Sequence, residues 1–204
     1  MTANIIPTYK VLLVFLACNL MLGILAYSGG TYYGEVMSPL YKWVVDKTFR
    51  YYQVKDLILE HKAQKKQFHL RVDSRHERYY KGYPVQTGVA LSANTLLGHA
   101  LQHFVIIFSV ILTYLYVKKR NFIKVFLASL VALIIVEMVD IPFVLMASIE
   151  DLVLYSVSGS TAESGLISWM HFMSGGGRQV ISLVAALFTL IINEKVWENR
   201  LATR

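Results

Sequence analysis

The chain of 204 residues contains one cysteine, Cys18, so no intrachain disulfide and no cysteine-based zinc site can form. Cys18 sits in LLVFLACNLML with Asn19 as its only polar neighbour, the setting of a buried inert thiol rather than a nucleophile. No phosphate-binding glycine loop, no HExxH and no GxSxG occurs. A soluble-type enzyme therefore has no support, and absence of catalysis is the favoured reading. Charge is also scarce: Asp, Glu, Lys and Arg together make 16% of the residues, against 55% hydrophobic. With a mean hydropathy of +0.48, this departs from soluble averages in the direction of a polytopic membrane protein. No internal repeat or low-complexity tract is present, and the length suits a single domain.

The net charge of +7 raises the question of nucleic acid. Lysines and arginines fall between apolar runs, however, where they act as topology and headgroup charges, and nucleic-acid binding is not expected.

The first apolar run, Val11 to Tyr27, is long enough to cross a hydrocarbon core. Only Lys10 precedes it as a basic residue, and the run is long for a signal peptide, so it is expected to be an uncleaved anchor. Further spans are expected over Leu97 to Val117, over Phe122 to Met146, and in a fourth run ending near Asn193. The connection KKRNFIK, Lys118 to Lys124, holds four basic residues and falls in the cytoplasm by the positive-inside rule. Alternation puts the tail with Lys195, Arg200 and Arg204 inside, and the acidic connection Glu150 to Gly165 outside. The segment from Ser28 to Asn94 then lies outside despite eleven Lys/Arg against six Asp/Glu; segments of this length translocate largely regardless of charge.

The expected fold is thus an all-α integral membrane protein of four transmembrane helices, N-in and C-in, with a small extracytoplasmic α+β segment between helices one and two. It divides into an anchor (1–27), an outer segment (28–95) and a three-helix region with a cytoplasmic tail (96–204). A bacterial-type inner membrane is the expected location.

In the outer segment, Ser38-Pro39 reads as an N-cap and first-turn pair. Leu40, Trp43, Val44, Tyr51, Val54, Leu57 and Ile58 follow at helical spacing, which predicts an amphipathic helix. Two placements stay open: in the headgroup layer with its tyrosines and Trp43 as anchors, or packed on the strands that follow. FHLRV and YYKGYPVQTGVALSA predict a sheet of two or three strands, with Gly82 and Gly88 at turns or bulges. Such a sheet is too small to stand alone.

Five ionisable residues stand where the chain should be in lipid: His99, His103, Glu137, Asp140 and His171. Such groups persist in a bilayer only when paired or used. His99 and His103 are four apart and share a helix face, as do Glu137 and Asp140, three apart with Pro142 just beyond. Arg178 follows His171 by seven, across Ser174-Gly175-Gly176-Gly177, a poor helix interior that either admits a close neighbour or breaks the fourth span. All these groups fall in the outer half of the bundle. One reading is a structural ion network of Glu137, Asp140, His171 and Arg178 that fixes helix register. Another is a first-row metal or haem held by His99, His103 and His171 with Glu137 or Asp140. A proton path or substrate pocket is the third.

The layout resembles the small membrane proteins encoded with exosortases, in particular the exosortase H-associated group. The resemblance rests on the order of parts over nearly the full chain: the PLYKW helix start after span one, the strand-like FHLRV, the basic KKRNFIK connection, and GGGRQVISLVAALFTLIIN with its basic end. The exosortase pattern of cysteine, arginine and histidine is not reproduced, since Cys18, Arg178 and His171 stand in a different order and setting. The resemblance implies an accessory or assembly subunit beside a membrane-embedded enzyme. Its partners would be the lipid bilayer and other integral membrane proteins or a second copy.

Overall fold

The computed structural model describes residues 7–62, 65–75, 78–80, 83–118, 122–158 and 164–202. The expected turn at Gly82, the middle of the KKRNFIK connection at 119–121, Glu163 and Arg204 lie outside them. In chain order the elements are α1 (Thr8–Thr48), β1 (Tyr52–Lys62), β2 (Lys65–Ser74), β3 (Arg78–Tyr80), β4 (Tyr83–Val85), β5 (Ala90–Leu96), α2 (Leu97–Lys118), α3 (Phe122–Ser158), α4 (Gly165–Phe172), a π-helical turn (Met173–Gly177) and α5 (Arg178–Ala202). Among the described residues, four helices are long and apolar enough to cross a membrane: Thr8–Thr48, Leu97–Lys118, Phe122–Ser156 and Gly165–Lys195.

Several boundaries differ from the expected ones, and hydroxyl chemistry explains most of them. No helix starts at Ser38-Pro39; α1 runs through both. Ser38 donates back to the Gly34 carbonyl at 2.7 Å, and Ser28 donates to the carbonyls of Ile24 and Leu25, both at 3.1 Å. These side chains serve the preceding turn instead of capping a new one, so the helix continues. Pro39 is exposed, as is Glu35, whose carbonyl the proline cannot engage and water can. Likewise α3 does not stop near Met146. Ser148 bonds back to Val144 and Ser156 to Val153, and the helix carries Glu150 and Asp151 on to Ser158.

The second half of the expected amphipathic helix is strand. Tyr51 ends the turn after α1, and Val54, Leu57 and Ile58 lie on β1. The ladder to β2 shifts register between Val54 and Asp56, which leaves Lys55 as the extra residue of a bulge. Inward positions therefore run Tyr52, Val54, then Leu57 and Leu59; the three-residue step across the bulge imitates helical spacing.

The chain separates into two compact units. One comprises Met1–Ser28, Leu101–Val136 and Gln179–Arg204. Its apolar side chains face outward in number: Leu12, Leu16 and Leu20 on α1, Ile123 and Leu127 on α3, Leu187 and Phe188 on α5. An outer surface of this kind suits lipid, not water. Inside, Phe108 meets Phe104 and Phe126 with ring centroids 5.1 and 5.4 Å apart. Thr113, Ser129 and Thr189 return their hydroxyls to the carbonyls of Ser109, Val125 and Ala185 on their own helices, which satisfies them without a partner helix.

The other unit comprises Gly29–Ala100 and Glu137–Arg178. Its three-stranded sheet is antiparallel in the order β1-β2-β5; β3 and β4 form a separate ribbon between β2 and β5. Phe68, Leu70 and Val72 on β2 are fully buried and alternate with outward His69, Arg71 and Asp73, the period of a strand with one covered face. The covering helix is the second half of α1. Tyr41 packs edge-on against Phe68 at 5.1 Å, and Lys42 donates to the Lys55 carbonyl at 3.2 Å. Packing on the strands, one of the two placements left open, is present here. Nearer the start of this unit, an added Cβ on Gly34 would meet the side chains of Leu97 at 3.0 Å and Leu59 at 3.1 Å. Only a residue without a side chain lets β1 and the start of α2 approach the helix this closely.

Candidate functional site

The ionisable residues expected in the spans do not gather at one point. Glu137 and Asp140 are fully buried on α3, one turn apart. Glu137 is held by two phenols: Tyr33 donates to Oε1 at 2.7 Å and Tyr41 to Oε2 at 2.5 Å. The two tyrosines are eight residues apart on α1, just over two turns, so both reach the same side of the helix. Together they give each oxygen of a desolvated carboxyl a hydroxyl donor, the condition for keeping such a group in a low-dielectric interior.

Asp140 is served differently. Arg178 Nε donates to its Oδ2 at 2.6 Å, with the two side chains 3% and 0% exposed. The guanidinium also donates through Nη1 to the Met173 carbonyl at 3.3 Å. That carbonyl opens the π-helical turn, where Gly176 adopts φ 111° and the helix bends. A side chain at Gly176 would be strained, so the glycine run breaks the fourth apolar stretch rather than serving only as a close-packing face. Opposite, Trp169 Nε1 donates to the Val139 carbonyl at 3.2 Å, next to Pro142 within α3.

The histidines lie elsewhere. His99 Nδ1 is hydrogen-bonded to Thr95 Oγ1 at 3.1 Å, at the junction of β5 and α2. His103, fully buried in the first-described unit, is bonded through Nδ1 to Ser182 Oγ at 2.7 Å. In that unit Tyr114 also donates to Glu194 at 3.1 Å. His171 is exposed on α4. Among the described residues, no three His, Cys, Asp or Glu side chains stand together as a metal-ligand set. The expected network thus keeps Asp140 with Arg178 and gives Glu137 two tyrosines: Tyr41, which falls in the segment expected either to anchor in headgroups or to pack on the strands, and Tyr33, to which the sequence assigns no role. Their eight-residue spacing, on the face that also carries Met37, Val44 and Val45 into the core, was the available signal.

A second polar array covers the outward face of the sheet. Lys55 pairs with Asp73 at 2.9 Å, and Arg71 lies 3.8 Å from both Asp56 and Glu60. Arg71 Nε donates to His69 Nε2 at 3.1 Å, and His69 Nδ1 is bonded to Asn94 at 2.5 Å. Charge on this face is therefore largely cancelled within the sheet.

These features define a class: a mostly helical protein with four candidate membrane spans, a buried acid pair held by two tyrosine hydroxyls and an arginine, and a small antiparallel sheet against one long helix. No family model, no curated protein and no solved structure matches the chain.

Proposed function

We propose that the protein is a non-catalytic subunit of a bacterial-type inner-membrane assembly, with both termini in the cytoplasm and the sheet on the outer side. The observation that carries this reading is the internal use of the two buried acids of α3. Glu137 is occupied by Tyr33 and Tyr41, and Asp140 by Arg178, so these groups bind the fold together rather than facing a substrate or a metal. The sheet supports a docking role, because β1 and β5 are its edges and edge strands offer backbone donors and acceptors to another chain. The layout that resembles exosortase-associated proteins points the same way.

The test is the mass of the natively extracted particle after subtraction of detergent. A particle much heavier than the 23.2 kDa chain, containing a second integral membrane protein at fixed stoichiometry, is expected. A strictly monomeric protein that co-purifies with nothing would sink the proposal. Orientation is tested separately in a Cys18→Ser background, where Ser92→Cys should react with an impermeant maleimide from outside the cell and Lys195→Cys should not.

A further inference from the structure

We propose that the tip of the β1–β2 hairpin, through Lys62, Lys65 and Lys66, binds the phosphate of anionic phospholipid headgroups. The argument begins with charge. In the ladder Lys62 stands directly opposite Lys65, one position from Lys66. Like charges across a strand pair repel and destabilise the sheet. Elsewhere on this sheet every outward charge has an opposite neighbour: Lys55 with Asp73, Arg71 with Asp56 and Glu60. At the tip that cancellation stops. Lys62 and Lys65 are exposed, and their side chains make no ion pair or hydrogen bond among the described residues. A hairpin that accumulates positive charge at its own expense calls for an anion from outside.

The height of the tip says which anion. Strand β1 runs back along α1: Lys55 lies beside Lys42, Leu59 beside Gly34, and Lys66 Nζ bonds Thr31 Oγ1 at 2.6 Å. Thr31 is four residues beyond Tyr27, where the apolar run of α1 ends. Four helical residues rise about 6 Å, and a headgroup layer is about 5–8 Å deep on each side of the hydrocarbon core. The lysines therefore stand at phosphate level if the run Val11 to Tyr27 crosses the bilayer. This holds whichever side of the membrane the sheet occupies, and it gives a reason for the excess of lysine and arginine between Ser28 and Asn94.

Native mass spectrometry of the full-length protein in neutral detergent, titrated with phosphatidylglycerol or with phosphatidylcholine of the same acyl chains, tests the proposal. A basic residue near an anionic surface is worth about fivefold in binding, so Lys62→Gln/Lys65→Gln should weaken phosphatidylglycerol binding about thirtyfold and leave phosphatidylcholine unchanged. Lys62→Arg/Lys65→Arg should keep the wild-type preference. So should Lys47→Gln/Arg50→Gln, at the opposite end of the sheet about 33 Å away by strand rise. If the glutamine pair fails to fold, the salt dependence of the wild type decides: the preference must fall as ionic strength rises. Equal phosphatidylglycerol binding by the glutamine pair, or a salt-independent preference, would overturn the proposal. Inorganic phosphate bound through these lysines, with no preference between the two lipids, would make the tip a free-phosphate site and overturn the lipid assignment.

Discussion

Removing Arg178 alone should do more damage than removing it together with Asp140. The guanidinium lies 2.6 Å from Asp140 Oδ2, and both side chains are almost wholly sequestered. Arg178→Met strands a carboxylate in a low-dielectric interior, and breaking a buried pair from one side costs about 3–5 kcal/mol. Asp140→Leu strands the cation at a similar cost. In the double variant both charges vanish. What remains is the lost bond from Nη1 to the Met173 carbonyl at 3.3 Å, worth about 1 kcal/mol. Single losses summing to about 6–10 kcal/mol against a double loss near 1 give a coupling energy of at least about 5 kcal/mol. Unfolding of the detergent-solubilised protein by titrated SDS, followed by circular dichroism, measures all three. Arg178→Lys should fall between, because an ammonium cannot hold the carboxylate and the carbonyl in one fixed fork. A double variant as unstable as the sum of the singles would refute the reasoning and assign the loss to packing voids instead.

Three further outcomes can be read in the same assay. Tyr41→Phe should cost about 1.5–3 kcal/mol, since it takes a donor from a buried carboxyl; Glu137→Leu introduced with it should recover part of that loss. Gly34→Val should destabilise by about 1–3 kcal/mol through overpacking against Leu59 and Leu97, and Leu59→Ala in the same chain should relieve it. Gly176→Ala should destabilise by at least about 1 kcal/mol because of its positive φ, whereas Gly175→Ala, with open space around it, should be neutral or stabilise by up to about 1 kcal/mol.

The four apolar helices were legible in the sequence because hydropathy over some twenty residues is a property of composition, insensitive to tertiary detail. What escaped was decided by single side chains. Ser38 before a proline has the chemistry of a helix start, yet the same hydroxyl can serve the carbonyl four residues back, and only the three-dimensional course of the chain selects between them. On β1 the bulge at Lys55 turned a strand's period of two into a step of three, so Val54 and Leu57 read as helix. The carboxyls of Glu137 and Asp140 were recognised as needing partners, and Arg178 was found by its charge. Tyr41 was missed because a phenol on an amphipathic helix looks like an interfacial anchor until the opposing helix is known, and Tyr33 because it lies before the expected helix start.

The polar residues of the apolar helices also answer to the backbone. A buried backbone group that loses its helical partner must be satisfied by another protein group. Besides Pro39, whose freed carbonyl at Glu35 is exposed, two buried breaks occur in the unit that carries the sheet: Pro142 removes a donor within α3, and the π-helical turn at Met173–Gly177 displaces carbonyls from their usual partners. Each lies beside a side-chain donor. Trp169 reaches the Val139 carbonyl, one residue after the Met138 carbonyl that Pro142 cannot engage, and Arg178 reaches the Met173 carbonyl at the second. Arg178 can be held at that depth only because Asp140 neutralises it, and Asp140 in turn has a use only where such a cation is needed. The bent helix, the arginine that bridges its bend and the aspartate that holds the arginine form one mutually dependent set. Chemistry would require one of these groups to be released from the others, at a cost of several kcal/mol; the lysines of the hairpin tip bear no such constraint.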